Sequence, residues 1–237
     1  MAASFTNETD PAIVEDVDTA EWLRVGQLGR LLKFFRQENV RQAIMAGQIA
    51  PKNLFDLRPD WKALLVLARL KRRNAESIFG AIAKELAAID VVLLPPTTFL
   101  EDQVAQPGLI AGANLSKREN ADIEFGWETA KQIAQLDIGQ TIVVKNGTVL
   151  AVEAFEGTND AIRRGGVLAR KRAIMIKVAK PNQDMRFDVP VIGADTIKVA
   201  MEANVRVIAI EAGKTLLLEP KTLTQLAERA GISIVAR

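Results

Sequence analysis

Acidic and basic residues are concentrated around a predicted strand-to-helix turn at Gly157-Thr158. At the start of a helix, unpaired backbone N–H groups and the helix dipole favour an anion such as phosphate. Carboxylates in such a mixed cluster can hold a metal ion, while cations hold the non-bridging phosphate oxygens. The pattern therefore indicates phosphoryl or nucleotidyl chemistry, with these candidate residues: Glu153, Glu156, Asp160, Arg163, Arg164 and the basic run Arg170-Lys171-Arg172.

The same turn also has a purely structural interpretation. Thr158 is a plausible N-cap for a short helix over residues 159–164, which Gly165-Gly166 would end. Ordinary helices also favour acidic residues near their N-terminus and basic residues near their C-terminus. Periodicity alone leaves the structural and the functional interpretation open.

A second charged cluster occupies residues 177–190, between a predicted buried strand and Val191-Ile192-Gly193. Loops at the ends of strands are where α/β proteins commonly place their sites. Asp184 and Asp188 could share a metal ion, or one could bind the metal while the other acts as a general base. The alternative is a solvated loop in which Asp184 makes an Asx-type turn.

The chain contains neither His nor Cys. This excludes thiol nucleophiles, catalytic triads that need imidazole, and the usual zinc sites. Any chemistry must therefore use carboxylates, Lys, Arg, hydroxyl groups and the backbone. A ligand set made of carboxylates suits a hard cation, so we expect Mg²⁺ (or Mn²⁺) as the cofactor.

Charge and hydropathy exclude several further classes. The net charge of +2 over 237 residues gives no reason to expect a nucleic-acid partner. No apolar run reaches the roughly 20 residues that a membrane-spanning helix needs. The first twenty residues are acidic and polar, unlike a signal peptide, so we expect a cytoplasmic protein with a poorly ordered lead-in.

The C-terminal half must position both charged clusters, and its pattern predicts a mixed α/β domain. The Asn-Gly pair in Lys145-Asn146-Gly147 is a strong signal for a β-hairpin. The predicted helices cover residues 121–136, 159–164 and 223–230 together with one that begins near Asp195, and the predicted strands cover 141–144, 149–155, 173–178, 205–210, 215–218 and 232–235.

The N-terminal half alternates predicted helices and strands, which indicates a parallel α/β layer. Residues 97–114 have the composition of a turn, with Pro107, Gly108 and Gly112, so we expect a linker there. The sequence thus predicts two domains, residues 1–107 and 108–237. The predicted N-terminal helices cover 22–38, 61–70 and 77–88, and the predicted strands cover 40–45 and 91–94.

Three segments of the C-terminal half carry a resemblance to a known family: LDIGQTIVVKNGTVLAVEAFEGTNDAIRRGG, KVAKPNQDMRFDVPVIGADTI and EAGKTLLLE. They resemble the UDP-2,3-diacylglucosamine pyrophosphatase family, which carries a DUF1009-type C-terminal domain. The upstream segment WLRVGQLGRLLKFFRQENVRQAIMAGQI is similar to the family's N-terminal domain. The resemblance implies a Rossmann-like N-terminal domain, from which the first strand and a Gly-rich turn are expected to be missing here.

The activity implied by this resemblance is Mg²⁺-dependent hydrolysis in the lipid A pathway. Water would cleave the pyrophosphate of UDP-2,3-diacylglucosamine to UMP and 2,3-diacylglucosamine 1-phosphate (lipid X). The resemblance also implies an essential aspartate between Lys180 and Asp188, either Asp184 or Asp188.

Resemblance and chemistry together assign roles to the candidate residues. Asp184 and Asp188 are the expected catalytic acids, and Glu153, Asp160 and Asp188 are the expected metal ligands. The diphosphate would be held by Lys145, Thr158, Arg163, Arg164, Lys180 and Arg186.

Two other functions stay open from the sequence. The chain could be a binding protein that holds a nucleotide sugar or a lipid phosphate without cleaving it. It could instead be a hydrolase or transferase that uses the same cluster on another nucleotide-linked substrate. A lipid-linked nucleotide sugar is the expected partner, and both peripheral contact with the inner membrane and a homo-oligomer are compatible with the sequence.

Overall fold

The computed structural model describes residues 1–47, 59–71, 74–181 and 183–237 and shows a mixed α/β protein. The chain divides into two compact units. The first contains Met1–Pro96 together with Asp184–Phe187, and the second contains Thr97–Gln183 and Asp188–Arg237.

The N-terminal unit is built from two pairs of parallel strands and three helices. Strands β1 and β2 pair in parallel, and so do β3 and β4. Leu28, Leu32, Val66 and Leu86 are among the buried side chains of its core. In chain order the elements are β1 (Ala2–Phe5), β2 (Ala20–Leu23), α1 (Leu28–Gln37), β3 (Gln42–Ile44), α2 (Trp61–Ala68), α3 (Ala75–Ala87) and β4 (Val92–Leu94).

The start of the chain differs from the sequence prediction. The expected lead-in contains β1, which pairs with β2 from Ala2↔Ala20 to Phe5↔Leu23. The helix expected to begin at Trp22 begins instead at Leu28, because Trp22 belongs to β2 and Gly26 has a positive φ of 99° that a helix cannot contain. The N-terminal unit therefore has a strand pair ahead of its first helix.

The C-terminal unit is organised around one six-stranded sheet with the order β5-β12-β10-β8-β6-β7. Strands β8, β10 and β12 are parallel, while β6 runs antiparallel to β8 and β5 antiparallel to β12. A separate pair, β9 and β11, is parallel. The strands are β5 (Gly108–Ala111), β6 (Thr141–Lys145), β7 (Thr148–Val152), β8 (Ala173–Lys177), β9 (Val191–Ile192), β10 (Val205–Ile210), β11 (Leu216–Leu217) and β12 (Ser233–Ala236).

Helices cover both faces of this sheet, because alternate strand residues point to opposite sides. On one face, Ile142 and Ile174 pack in the same cluster as residues of α4. On the other face, Val143 and Met175 pack with residues of the remaining three helices. The helices are α4 (Lys117–Gln135), α5 (Thr158–Ala169), α6 (Ala194–Glu202) and α7 (Pro220–Arg229).

The predicted hairpin at Asn146-Gly147 is confirmed. Strands β6 and β7 are antiparallel up to Lys145↔Thr148, and both turn residues have positive φ, 53° and 69°. The buried carboxylate of Asp122, on α4, accepts hydrogen bonds from the backbone N–H groups of Asn146 and Gly147 at 2.8 and 2.7 Å. The turn is thus fixed to the helix below it.

The prediction that Gly165-Gly166 ends a helix is wrong, since α5 continues to Ala169. A Cβ atom at Gly165 would lie 2.4 Å from Cβ of Val143, and one at Gly166 would lie 2.4 Å from the carbonyl oxygen of Ala203. Both glycines therefore serve close packing of α5 against strand β6 and the end of α6, not helix termination.

The expected linker over residues 97–114 also contains regular structure. Strand β5 lies within it and forms the antiparallel edge of the six-stranded sheet, beside β12. A short 3-10 helix, Glu101–Gln103, precedes this strand. The segment is therefore part of the C-terminal unit from Thr97 onward.

Candidate active site

Charged side chains meet at one end of the C-terminal sheet, where β8 ends, β6 begins and β7 ends. Thr141 is the register partner of Lys177, and the N–H of Glu153 donates to the carbonyl of Thr141 at 2.8 Å. Gly139 allows close packing here, because a Cβ atom at this position would lie 2.1 Å from the carbonyl oxygen of Glu153. Strand pairing therefore brings Glu153 and Lys177 together although 24 positions separate them in sequence.

A chain of hydrogen bonds connects these residues to helix α5. The Lys177 ammonium group donates to Oγ1 of Thr158 at 3.1 Å, and this hydroxyl donates to Oε1 of Glu153 at 2.8 Å. Desolvation lowers the pKa of Lys177, while the charges of Glu153 and Asp188 act in the opposite direction. Lys177 is thus connected to Glu153 through the hydroxyl of Thr158.

Asp188 is connected to this group through Gln140, whose backbone N–H donates to Oε2 of Glu153 at 3.4 Å. The side-chain amide of Gln140 donates to both of its carboxylate oxygens at 3.4 Å, and Nζ of Lys180 lies 3.7 Å from Oδ2. Lys180 also forms a shorter ion pair with Asp137. We call Glu153, Thr158, Lys177, Lys180 and Asp188 the acid–lysine cluster.

The predicted metal ligands are only partly brought together. Gln140 contacts both Glu153 and Asp188: its backbone N–H donates to Glu153 and its side-chain amide to Asp188, each at 3.4 Å. Asp160, by contrast, pairs with Arg163 at 2.8 Å, and its side chain is 63% exposed. Within the described ranges no group of three acidic side chains is placed to hold a metal ion, and the three-acid set stays a prediction.

The predicted arginines of α5 form surface ion pairs. Arg163 also approaches Glu202 of α6 at 4.0 Å. Arg164 pairs with Glu156 and donates to the carbonyl of Val152 at 2.7 Å. In the part of the chain that the structure describes, no hydrogen bond or ion pair joins either arginine to the acid–lysine cluster, and both side chains are 50% exposed.

Lys145 lies at the other end of β6, about 13 Å along the strand from Thr141 at ~3.3 Å per residue. Its ammonium group donates to the carbonyl oxygens of Ala169 and Lys171 at 2.7 and 2.8 Å. These contacts fasten the end of α5. The role of Lys145 in diphosphate binding stays a prediction.

Asp184 and Arg186 form a pair of their own. Arg186 donates to the two carboxylate oxygens of Asp184 at 2.9 and 2.6 Å, and this bonding lowers the pKa of Asp184 although burial opposes it. The backbone N–H of Arg186 also donates to Asp184, which is the Asx-type turn given above as the alternative. Both residues group with the N-terminal unit, whereas Asp188 groups with the C-terminal unit.

Thr158 occupies the first helical position of α5, and Gly157, with φ of 87°, is the N-cap. No side chain caps this helix by a hydrogen bond. The predicted capping role of Thr158 is therefore wrong, because its hydroxyl is used between Lys177 and Glu153.

Sequence reasoning missed Lys177 and Gln140 as members of the site. The available signal was the run Ala173–Lys177, in which four buried apolar residues are followed by a lysine at the strand end. Gln140 gave no comparable signal, since it becomes relevant only when β6 pairs with β8.

Comparison with known proteins adds the family. Residues 1–103 match the family model of the LpxI N-terminal domain, and residues 106–235 match that of the LpxI C-terminal domain. The chain is 28% identical over 222 residues to UDP-2,3-diacylglucosamine pyrophosphatase LpxI of Caulobacter vibrioides. The matched region covers 89% of this chain and 79% of the relative. The chain therefore belongs to the LpxI family.

Proposed function

We propose that this protein hydrolyses the pyrophosphate of UDP-2,3-diacylglucosamine, adding water across the P–O–P link to give UMP and 2,3-diacylglucosamine 1-phosphate. The observation that carries the proposal is the acid–lysine cluster at the end of β8, in a chain that belongs to the LpxI family. Carboxylates and ammonium groups in one place suit the handling of a diphosphate and an attacking water.

The charge of the site supports a cation-dependent reaction. Three carboxylates (Asp137, Glu153 and Asp188) adjoin two lysines (Lys177 and Lys180), so the group is negative before any diphosphate binds. A diphosphate would add more negative charge, and its binding requires compensation.

Mg²⁺ fits this donor set. It is commonly held by one or two carboxylates together with substrate phosphates, so Glu153 and Asp188 suffice as protein ligands. When bound, Mg²⁺ would neutralise charge on the diphosphate oxygens. We include Mg²⁺ (or Mn²⁺) in the proposal on this basis.

Asp188 is the carboxylate best suited to accept a proton from the attacking water. Its bonds to Gln140 are long, and a neutral amide leaves most of its acceptor capacity available. Lys180, 3.7 Å away, would hold a phosphate oxygen. The N–H groups at the start of α5, which has no side-chain cap, would take another.

The proposed substrate carries acyl chains, so this function implies peripheral contact with the membrane from the cytoplasmic side. Among the described residues, no helix is both long enough and apolar enough to cross a bilayer.

The test is to incubate the purified protein with UDP-2,3-diacylglucosamine and Mg²⁺ and to measure UMP. We expect UMP release that stops with EDTA and resumes with excess Mg²⁺. UDP-N-acetylglucosamine, which lacks the acyl chains, serves as the control and should be turned over at least tenfold more slowly. A tenfold difference in rate corresponds to about 1.4 kcal/mol of activation free energy. Binding of the lipid substrate without UMP release would contradict the proposal.

A further inference from the structure

Lys177 occupies an unusual position for a lysine. It ends strand β8, which lies between β10 and β6 in the middle of the sheet. The four preceding residues of the strand are buried and apolar. Charged groups at such places are retained only when they are paired and hydrogen-bonded.

The pairing of Lys177 joins two separate segments. Through Thr158 it is connected to Glu153, which follows β7. Gln140 extends this connection to Asp188, which precedes β9. Its backbone N–H donates to Oε2 of Glu153 at 3.4 Å, and its side-chain amide donates to both carboxylate oxygens of Asp188 at 3.4 Å.

The register partner of Lys177 adds a second observation. Thr141 is fully buried, and its hydroxyl has no hydrogen-bond partner in the described part of the chain. Buried hydroxyl groups are normally satisfied, and exceptions call for an explanation. The hydroxyl of Thr141, beside Lys177, is therefore a polar group that the described fold does not satisfy.

We infer that Lys177 is a positioning residue of the active site: through the hydroxyl of Thr158 it fixes the orientation of the Glu153 carboxylate. This inference rests on the proposed function. Lys177 itself does not accept or deliver the transferred group; it holds the carboxylate of Glu153 in place.

The experiment compares Lys177→Met with wild type and with Lys131→Met. Lys131 is a matched control, because it also donates two hydrogen bonds, but to the carbonyl of Ala179 and to Glu211, outside the acid–lysine cluster. Lys177→Met should lower kcat by about 100-fold with KM changed less than about threefold. Lys131→Met should lower the Tm and leave the kcat of the folded protein within about twofold.

Two further variants separate positioning from folding. Lys177→Arg, which keeps the charge and a donor, should have a kcat at least tenfold higher than that of Lys177→Met. This difference corresponds to about 1.4 kcal/mol of activation free energy. Thr158→Val should lower kcat by about tenfold, and its effect should be smaller in the Lys177→Met background because both act on Glu153. If Lys177→Met folds poorly, Thr158→Val in the wild-type background still tests the inference, because a kcat that stays within about twofold of wild type in that variant overturns it.

The outcomes are distinct. Wild-type activity with full activity in Lys177→Met, or strictly additive effects of the Thr158 and Lys177 substitutions, overturns the positioning role alone. A wild-type protein that releases no UMP overturns the proposed function, and the inference with it.

Discussion

Two charged clusters lie at the same end of the C-terminal sheet, where strands β8 and β10 end, and their hydrogen bonds differ in length. The acid–lysine cluster lies at the end of β8. The Glu211 cluster, formed by Lys131, Glu211 and Lys214, lies at the end of β10. Glu211 accepts from Nζ of Lys131 at 2.5 Å, from the N–H of Ala179 at 2.8 Å and from Nζ of Lys214 at 2.9 Å.

The contacts of Asp188 in the first cluster are longer, at 3.4 and 3.7 Å. Short bonds from several donors saturate a carboxylate and tie it to the fold, whereas long bonds leave it able to receive a ligand. Burial and charge alone therefore do not identify a site. The lengths of the bonds to the carboxylate oxygens distinguish the two clusters.

The largest expected effect separates the clusters by activity. Asp188→Asn should reduce kcat/KM by about 100-fold or more, because it removes the proposed general base while keeping the shape of the side chain. The Tm should stay within a few degrees. Steady-state release of UMP measures the effect, and Asp195→Asn, whose side chain is 84% exposed, is the control. An Asp188→Asn variant with normal turnover would remove Asp188 from the site.

A substitution of Glu211 tests whether the Glu211 cluster serves stability and not activity. Glu211→Gln should destabilise the C-terminal unit by about 1–3 kcal/mol, because it removes a buried charge on which the N–H of Ala179 and the ammonium group of Lys131 depend. The folded variant should keep its kcat. Urea unfolding followed by circular dichroism gives the free energy of unfolding. Lys214→Met, which removes a donor that is 43% exposed, should cost less than 1 kcal/mol.

The pH dependence of stability provides a further test of the role of Glu211. Desolvation by itself would raise the pKa of Glu211, but hydrogen bonds from Lys131, Lys214 and Ala179 outweigh it and lower this pKa below its usual value. The ionised form is therefore favoured by folding. Its contribution is fully present above the unfolded-state pKa of about 4.3 and is lost as pH falls through the folded-state pKa. The stability gap between wild type and Glu211→Gln, measured from pH 7 to pH 3, should shrink towards acid pH; a constant gap would contradict this account.

The smallest effect is expected for the surface pairs of α5. Arg163→Ala should change kcat by less than about twofold and stability by less than about 1 kcal/mol, because its partners Asp160 and Glu202 are exposed. The same assay of UMP release measures it. A tenfold loss of activity would restore Arg163 to the substrate-binding set that its sequence position suggested.

Local pattern was sufficient for much of the fold. The Asn-Gly pair predicts the hairpin of β6 and β7, and short runs rich in apolar residues predict β8 and β10, because turn chemistry and hydrophobic periodicity act over a few residues. The predicted strand over residues 205–210 has the same bounds as β10. By contrast, Gly165 and Gly166 look like a helix stop in sequence, and only the approach of Val143 and Ala203 shows that they serve packing.

The candidate site shows the same division between local pattern and tertiary contact. The absence of His and Cys from the sequence leaves carboxylates and lysines as the reactive groups, and the sequence also carries the family resemblance. Which of those groups meet depends on the register between β6, β7 and β8, because register is a long-range property that short sequence patterns do not specify. That register brings Glu153 to Lys177 through Thr158 and leaves Lys145 at the far end of its strand.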